Sequence, residues 1–247
     1  MSNESRCLLA GVCRSAGSSA CTPVCAHFIA IEGRVKAAAV PAEYRLVTLE
    51  SSPCRRDQAD VYRNLADYVA TFGRQFEADG RRIKSLYLYS ANPGTGKTTT
   101  AIALLHEWII RHYVGSLDNR RQPDQRPAFF LDVNEFQTIY NRANRSGVPD
   151  DVREQLGAEY NRLFEIAKST PFLVADDIGV RGATDAFRAD LHDIINHRTA
   201  NGKPTVYTSN IPMAELANVF DARLADRVRD MCVEITFSGE SKRGIRD

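Results

Sequence analysis

The chain has 247 residues, 43% of them hydrophobic and 26% charged, a globular balance that excludes a disordered or low-complexity protein. A formal net charge of +1 excludes a broad basic surface, so contact with nucleic acid would have to come from a local patch. No apolar run approaches the ~18 residues of a membrane-spanning helix, and the N-terminus lacks a signal-peptide core, so a soluble cytoplasmic protein without a membrane partner is expected.

Four of the six cysteines, Cys7, Cys13, Cys21 and Cys25, fall in the first 25 residues. In a reducing compartment such a cluster reads better as a metal site than as disulfides, and Zn2+ suits four thiolates in a tetrahedron. Metal binding would fold a segment too small to build its own core. The intervals are wider than those of paired knuckles, and His27 is an alternative ligand. The plainer reading is a scatter of small residues near a chain end. Residues 1–35 are taken as this zinc-binding unit, and 36–56, irregular and marked by Pro41 and Pro53, as a linker to a larger domain over 57–247. Cys54 and Cys232 stand alone and read as packing residues.

From residue 57 to about 78, Val61, Leu65, Tyr68, Val69 and Phe72 recur at helical spacing. "SLYLYS" is a strand that runs straight into a Gly-rich turn, and the helix after the turn carries Ile102, Leu104, Leu105, Trp108 and Ile109. "AFFLDV" is a second strand, and Asn134 opens a helix toward Tyr140. "DDVREQLGAEYNRLFEIAKS" is helical, and "PFLVADDIG" is apolar without alternation, as a strand buried on both faces requires. "DAFRADLHDIINHRTA" is helical and "PTVYTSN" is the next strand. Strands alternating with helices predict an α/β domain with a parallel sheet flanked by helices.

The turn reads Ala91-Asn92-Pro93-Gly94-Thr95-Gly96-Lys97-Thr98, which follows the phosphate-loop pattern G-x-x-x-x-G-K-[ST] except for Ala91 in place of the first glycine. Gly94 and Gly96 let the backbone curl so that successive N–H groups face a phosphate, with a helix dipole behind them. Asn92, Pro93, Gly94, Thr95, Gly96, Lys97, Thr98 and Thr99 are therefore the expected nucleotide-binding loop. Lys97 would bridge the β- and γ-phosphates of ATP, and Thr98 would ligate Mg2+. In "FLVADD", Asp176 and Asp177 stand at the end of a buried strand: Asp176 would hold Mg2+ and Asp177 would polarise the attacking water. Many motor ATPases carry Glu at the second position, so the shorter Asp predicts slow hydrolysis. Asn210, at the end of "TVYTSN", could report the γ-phosphate, although Ser-Asn also suits a plain turn.

"NPGTGKT", "FLVADDIG", "PTVYTSN" and "ARLADRVRDMC", in this order, resemble an AAA+ ATPase of the DnaC/DnaI helicase-loader type, a group that also contains the IstB transposition ATPases. The resemblance covers residues 57 to 247. It implies an AAA+ P-loop NTPase core without a separate lid domain, and the cysteine cluster resembles the zinc-binding unit with which DnaI-like loaders hold the helicase. Position by position, Lys97 and Thr98 match Walker A, Asp176 and Asp177 Walker B, and Asn210 sensor 1. Arg227 in "LADRVRD" matches the arginine that reaches a neighbouring subunit's nucleotide, with Arg223 as its competitor. Arg243 matches the sensor 2 arginine. A solvated helix face is the plain alternative for all three.

The implied function is ATP-dependent loading of a hexameric DnaB-type replicative helicase onto single-stranded DNA, in a bacterium or a phage, with self-assembly through the AAA+ domain. An IstB-like transposition regulator differs in partner, a small-molecule kinase in phosphate acceptor, and a zinc-dependent binding module in having no turnover. For DNA, "NEFQTIYNRANRS" offers Phe136, Tyr140, Arg142 and Arg145, aromatics and arginines suited to stacking and phosphate contact. Phe136 and Tyr140, four apart, equally suit the buried face of a helix.

Overall fold

The computed structural model describes residues 4–78, 81–179, 182–218, 220 and 222–241. Among them, strands β1 (Ser85–Tyr89), β2 (Ala128–Asp132), β3 (Phe172–Asp176), β4 (Thr205–Ser209) and β5 (Cys232–Thr236) form one parallel sheet in the order β2-β3-β4-β1-β5. The helices are α1 (Ala26–Ala37), α2 (Ala59–Ala70), α3 (Lys97–Asp118), α4 (Val133–Ala143), α5 (Asp150–Ser169), α6 (Asp185–Ala200) and α7 (Ala222–Met231). The α/β expectation holds for this core. Two elements, α1 and β5, have no counterpart in the sequence reading.

Successive strand residues face opposite sides of the sheet, and each side has its own apolar cluster. Leu86, Leu88, Phe130, Val174 and Val206 face α3, whose Leu105, Trp108 and Ile109 fill that side. Trp108 stacks on Phe172 at 4.8 Å between ring centroids. Tyr87, Phe129, Leu131, Leu173 and Tyr207 face the other side, against Phe136, Phe187, Ile194 and Val228 from α4, α6 and α7.

Residues 4–58 pack on the α3 side through the following contacts. Leu8, Leu9, Ile31 and Val35 share the cluster of Trp108 and Ile109. The carbonyl of Ala38 accepts from Phe130 N at 2.8 Å, which occupies part of the open edge of β2. Arg34 lies 5.0 Å from the centre of the Tyr113 ring and donates to the carbonyl of Pro123. Within 36–56, Ser52 bonds to Tyr62 on α2, and Tyr62 bonds in turn to Thr100 on α3 at 2.8 Å.

His106 on α3 is fully buried, with Nδ1 2.7 Å from the carbonyl of Val47 and Nε2 without a partner among the described residues. Nδ1–H therefore donates, and burial holds the ring neutral, lowering its pKa to about 4. In the unfolded chain the ring takes up a proton near pH 6.5. The stability that neutral His106 contributes is thus intact above about pH 6.5 and is lost as pH falls toward about 4. The expected loss is on the order of 3 kcal/mol across that window. Burial raises the Asp176 carboxyl to about 6, so that group titrates in the same range with the opposite sign. Denaturant unfolding of His106→Gln and the parent protein between pH 4 and 7 separates them. The parent should lose stability by about 1.4 kcal/mol more per pH unit than the variant; parallel profiles would reject the neutral-histidine account.

Candidate nucleotide site

β1, β3 and β4 end side by side, and the residues after each end form one constellation at the C-terminal edge of the sheet, the edge at which open α/β sheets bind ligands. The turn after β1 brings in Gly94 at φ 71° and Gly96 at φ 99°, left-handed conformations that glycine adopts without a Cβ penalty. At Gly96 a Cβ would also run into the side chain of Cys54, so the segment before α2 packs directly against the turn. Asn92 Nδ2 donates to the carbonyl of Gly239 at 2.9 Å, which brings the chain beyond β5 to the same place.

Lys97, the first residue of α3, is buried, and its Nζ donates to Asn210 Oδ1 at 2.7 Å and to the carbonyl of Asn92 at 3.2 Å. Two residues predicted from strand ends more than a hundred positions apart are thus in direct contact. Thr98 Oγ1 donates to the carboxylate of Asp176 at 3.0 Å. Asp176 also accepts from Thr208 Oγ1 at 2.7 Å. Burial pushes the Asp176 carboxyl up to about 6, the two hydroxyls pull it down, and the nearby Asp132 and Asp177 charges push it up again.

Asp177 has φ 58°, an uncommon state for a residue with a side chain. Its backbone N–H donates to Thr208 Oγ1 at 2.8 Å, and its carboxylate accepts from Asn134 Nδ2 at 2.9 Å. Asn134 stands at the start of α4, where the Asp132 side chain caps the helix by accepting from the backbone of Asn134 and Glu135. Sequence reasoning assigned no site role to Thr208 or Asn134. Thr208 was legible in principle, because it lies two residues before Asn210 on the same face of its strand. The partnership of Asn134 with Asp177 is a contact between two loops and leaves no local sequence signal.

The residues present fit a nucleotide phosphate and a divalent cation. The Thr95 hydroxyl is buried in the turn with no partner among the described residues, and a bound phosphate would supply the acceptor it lacks. The oxygens of Asn92 and Asn210 that accept from the Lys97 ammonium are neutral, and an anion would outcompete them. The hydroxyl of Thr98 and the carboxylate of Asp176 are the hard oxygen donors that Mg2+ takes.

Arg223 and Arg227 are exposed on α7, and Arg227 donates to Asn196 on α6. Arg243 lies outside the described residues. Asn92, Pro93 and Thr99 sit in the turn and first helical turn as expected.

The zinc expectation does not fit. Cys7, Cys13, Cys21, Cys25 and His27 do line one cavity, but Leu9, Ala10 and Phe28 line it with them. Among the described residues no three His, Cys, Asp or Glu side chains are gathered so as to hold a metal ion. His27 is turned to Tyr113, with Nδ1 2.8 Å from its hydroxyl. The spacing read as a ligand set instead surrounds a largely apolar cavity.

The stacking reading of Phe136 is also overturned. Its ring is fully buried and lies parallel to that of Tyr160 at 4.3 Å, with Phe187 at 5.6 Å. Tyr140 is half-buried against the same two rings, while Arg142 and Arg145 are exposed. Among the described residues no helix is long and apolar enough to cross a membrane.

In sequence, the chain is 25% identical over 193 residues to the replicative helicase loader DnaI of Bacillus subtilis, a match covering 71% of this chain and 52% of that protein. It therefore spans about half the length of that relative. The replicative helicase loader DnaC of Escherichia coli is 23% identical over 211 residues, covering 80% of this chain and 76% of that one. A crystal structure of DnaI matches the fold with a TM-score of 0.58 and 21% identity, over 85% of this chain and all of the other. No protein-family model matches the chain.

Proposed function

We propose that this chain, similar in sequence and fold to the DnaC and DnaI helicase loaders, is an AAA+ ATPase that uses ATP to load a hexameric replicative helicase onto single-stranded DNA at replication initiation. The observation that carries the nucleotide part is the contact set at the strand ends, Lys97 with Asn210 and Thr98 with Asp176. Residues 92–99 wrap the phosphates, and Lys97 exchanges its neutral partners for the β- and γ-phosphates. Thr98 and Asp176 hold Mg2+, which supplies charge neutralisation on the phosphate oxygens. Asp177, oriented by Asn134, polarises the attacking water, and Asn210 meets the γ-phosphate once Lys97 has released it.

The helicase part is supported by the relatives named replicative helicase loaders, and the DNA part only by the exposed arginines of α4 and the turn after it. Residues 1–35 are the proposed helicase grip, without zinc. Arg142 and Arg145 support DNA contact through phosphate charge rather than base stacking, so few counterions are released and the salt dependence is shallow.

The test has two arms. Purified protein with ATP and Mg2+, and no acceptor, should release inorganic phosphate and ADP; transfer of phosphate only to an added small molecule would indicate a kinase instead. With ATP, immobilised protein should retain purified DnaB-type helicase, and a chain lacking residues 1–35 should lose it. No retention by the full chain would remove the loader assignment.

A further inference from the structure

Thr208 lies on β4, between β1 and β3, one residue past the Ala175–Tyr207 pair of the β3–β4 register. It is buried, and its hydroxyl serves both aspartates at the end of β3. Oγ1 donates to Asp176 Oδ1 at 2.7 Å and accepts from the backbone N–H of Asp177 at 2.8 Å. The Asp177 amide can only donate, so the single hydroxyl proton is committed to Asp176. The carbonyl of Thr208 also accepts from Ile178 N at 3.0 Å. One residue therefore holds the turn from Asp176 to Ile178 by three hydrogen bonds. A side-chain residue at φ 58° persists only where its surroundings fix it, and these bonds do so. Two positions on, the same strand delivers Asn210 to Lys97.

We propose that Thr208 is a positioning residue whose hydroxyl sets the direction of the Asp176 carboxylate and of the Asp177 backbone, and so ties both to the strand that carries Asn210. The proposal rests on the ATPase reading above and adds to it the group that orients its two aspartates. Thr98 Oγ1 meets both carboxylate oxygens of Asp176, Oδ1 at 3.0 Å and Oδ2 at 3.1 Å, while Thr208 holds Oδ1 alone from the strand side at 2.7 Å. Without the hydroxyl the carboxylate keeps only Thr98 to set its direction, and the part-buried N–H at Asp177 loses its acceptor. Through the shared strand, a shift of Asn210 on meeting the γ-phosphate reaches both aspartates together.

Thr208→Val keeps the branched shape and removes the hydroxyl, whereas Thr208→Ser keeps the hydroxyl and removes the methyl. ATP affinity is measured in EDTA and in excess Mg2+, together with kcat and KM. In EDTA the Val variant should bind within about threefold of the parent, because the phosphate loop is untouched. It should lose about tenfold or more both in the affinity that Mg2+ adds and in kcat, the scale of a hydrogen bond to a charged group. The Ser variant should recover both. A Val variant with parental Mg2+ dependence and kcat, or Val and Ser variants equally impaired, would overturn the proposal. Should thermal melting show the Val variant unfolded, Thr208→Ala against Thr208→Ser makes the same comparison. If the parent binds ATP with Mg2+ but never turns it over, the ATPase reading fails, and the Mg2+-dependent binding alone decides the role of Thr208.

Discussion

Arg227→Ala should bind ATP almost normally and hydrolyse it on the order of 10³-fold more slowly, the scale of an arginine supplied to a transferring phosphoryl group from outside its own site. The helix that carries it is amphipathic. Ala225 and Val228 of α7 are buried in the cluster shared with α6, while Arg223 and Arg227 point outward. The described partner of Arg227 is the neutral amide of Asn196, which leaves the guanidinium charge uncompensated by that contact. An outward cation of this kind suits the developing charge at a neighbouring subunit's nucleotide. The decisive measurement mixes Arg227→Ala with Lys97→Ala, which is inactive at its own site but still presents Arg227. Mixed assemblies pair an intact phosphate loop with an intact arginine, so activity that neither variant has alone should return. Assemblies that form and stay inactive would assign Arg227 to its own subunit or to the surface, and Arg223 would become the better candidate.

Asp177→Asn should keep ATP affinity and lose turnover by on the order of 10²-fold, the range of a positioned general base. The substitution preserves size but removes the negative charge that would draw a proton from the attacking water. It also changes the partnership with Asn134, because a carboxylate oxygen that accepts from Nδ2 at 2.9 Å is replaced by an amide whose NH2 must be turned away to keep that bond. On the proposed reading ATP binding depends on Lys97 and on the turn at residues 92–99, and no described contact joins either to the Asp177 carboxylate, so affinity and rate should separate cleanly. Single-turnover phosphate release by the Asn variant at the parental rate would remove Asp177 from the chemistry. Loss of binding together with turnover would give it a structural role.

Local sequence signals determined the elements of the α/β core other than α1 and β5, and which residues stand at the strand ends. The run Asp150–Ser169 is the expected helix to the residue, and "FLVAD" and "TVYTS" are the strands expected before Asp176 and Asn210. Period, chain length between turns and the Gly-rich punctuation are properties of neighbouring residues, so they are written into any short window of the chain. The convergence of Lys97, Thr98, Asp176 and Asn210 was also legible, because ends of parallel strands meet at one edge. What lies across from a face was not legible. Phe136 at helical spacing from Tyr140 is compatible with DNA or with a core, and rings on α5 and α6 decide for the core. Four cysteines at open intervals are compatible with a metal or with a cavity, and the apolar side chains between them decide for the cavity. The placement of β4 between β1 and β3 sets Thr208 against both aspartates, and strand order is a long-range choice that no window of sequence carries. Periodicity tells which way a side chain points; only the packed chain supplies the partner it meets, because contacts between distant segments are fixed by the whole core at once.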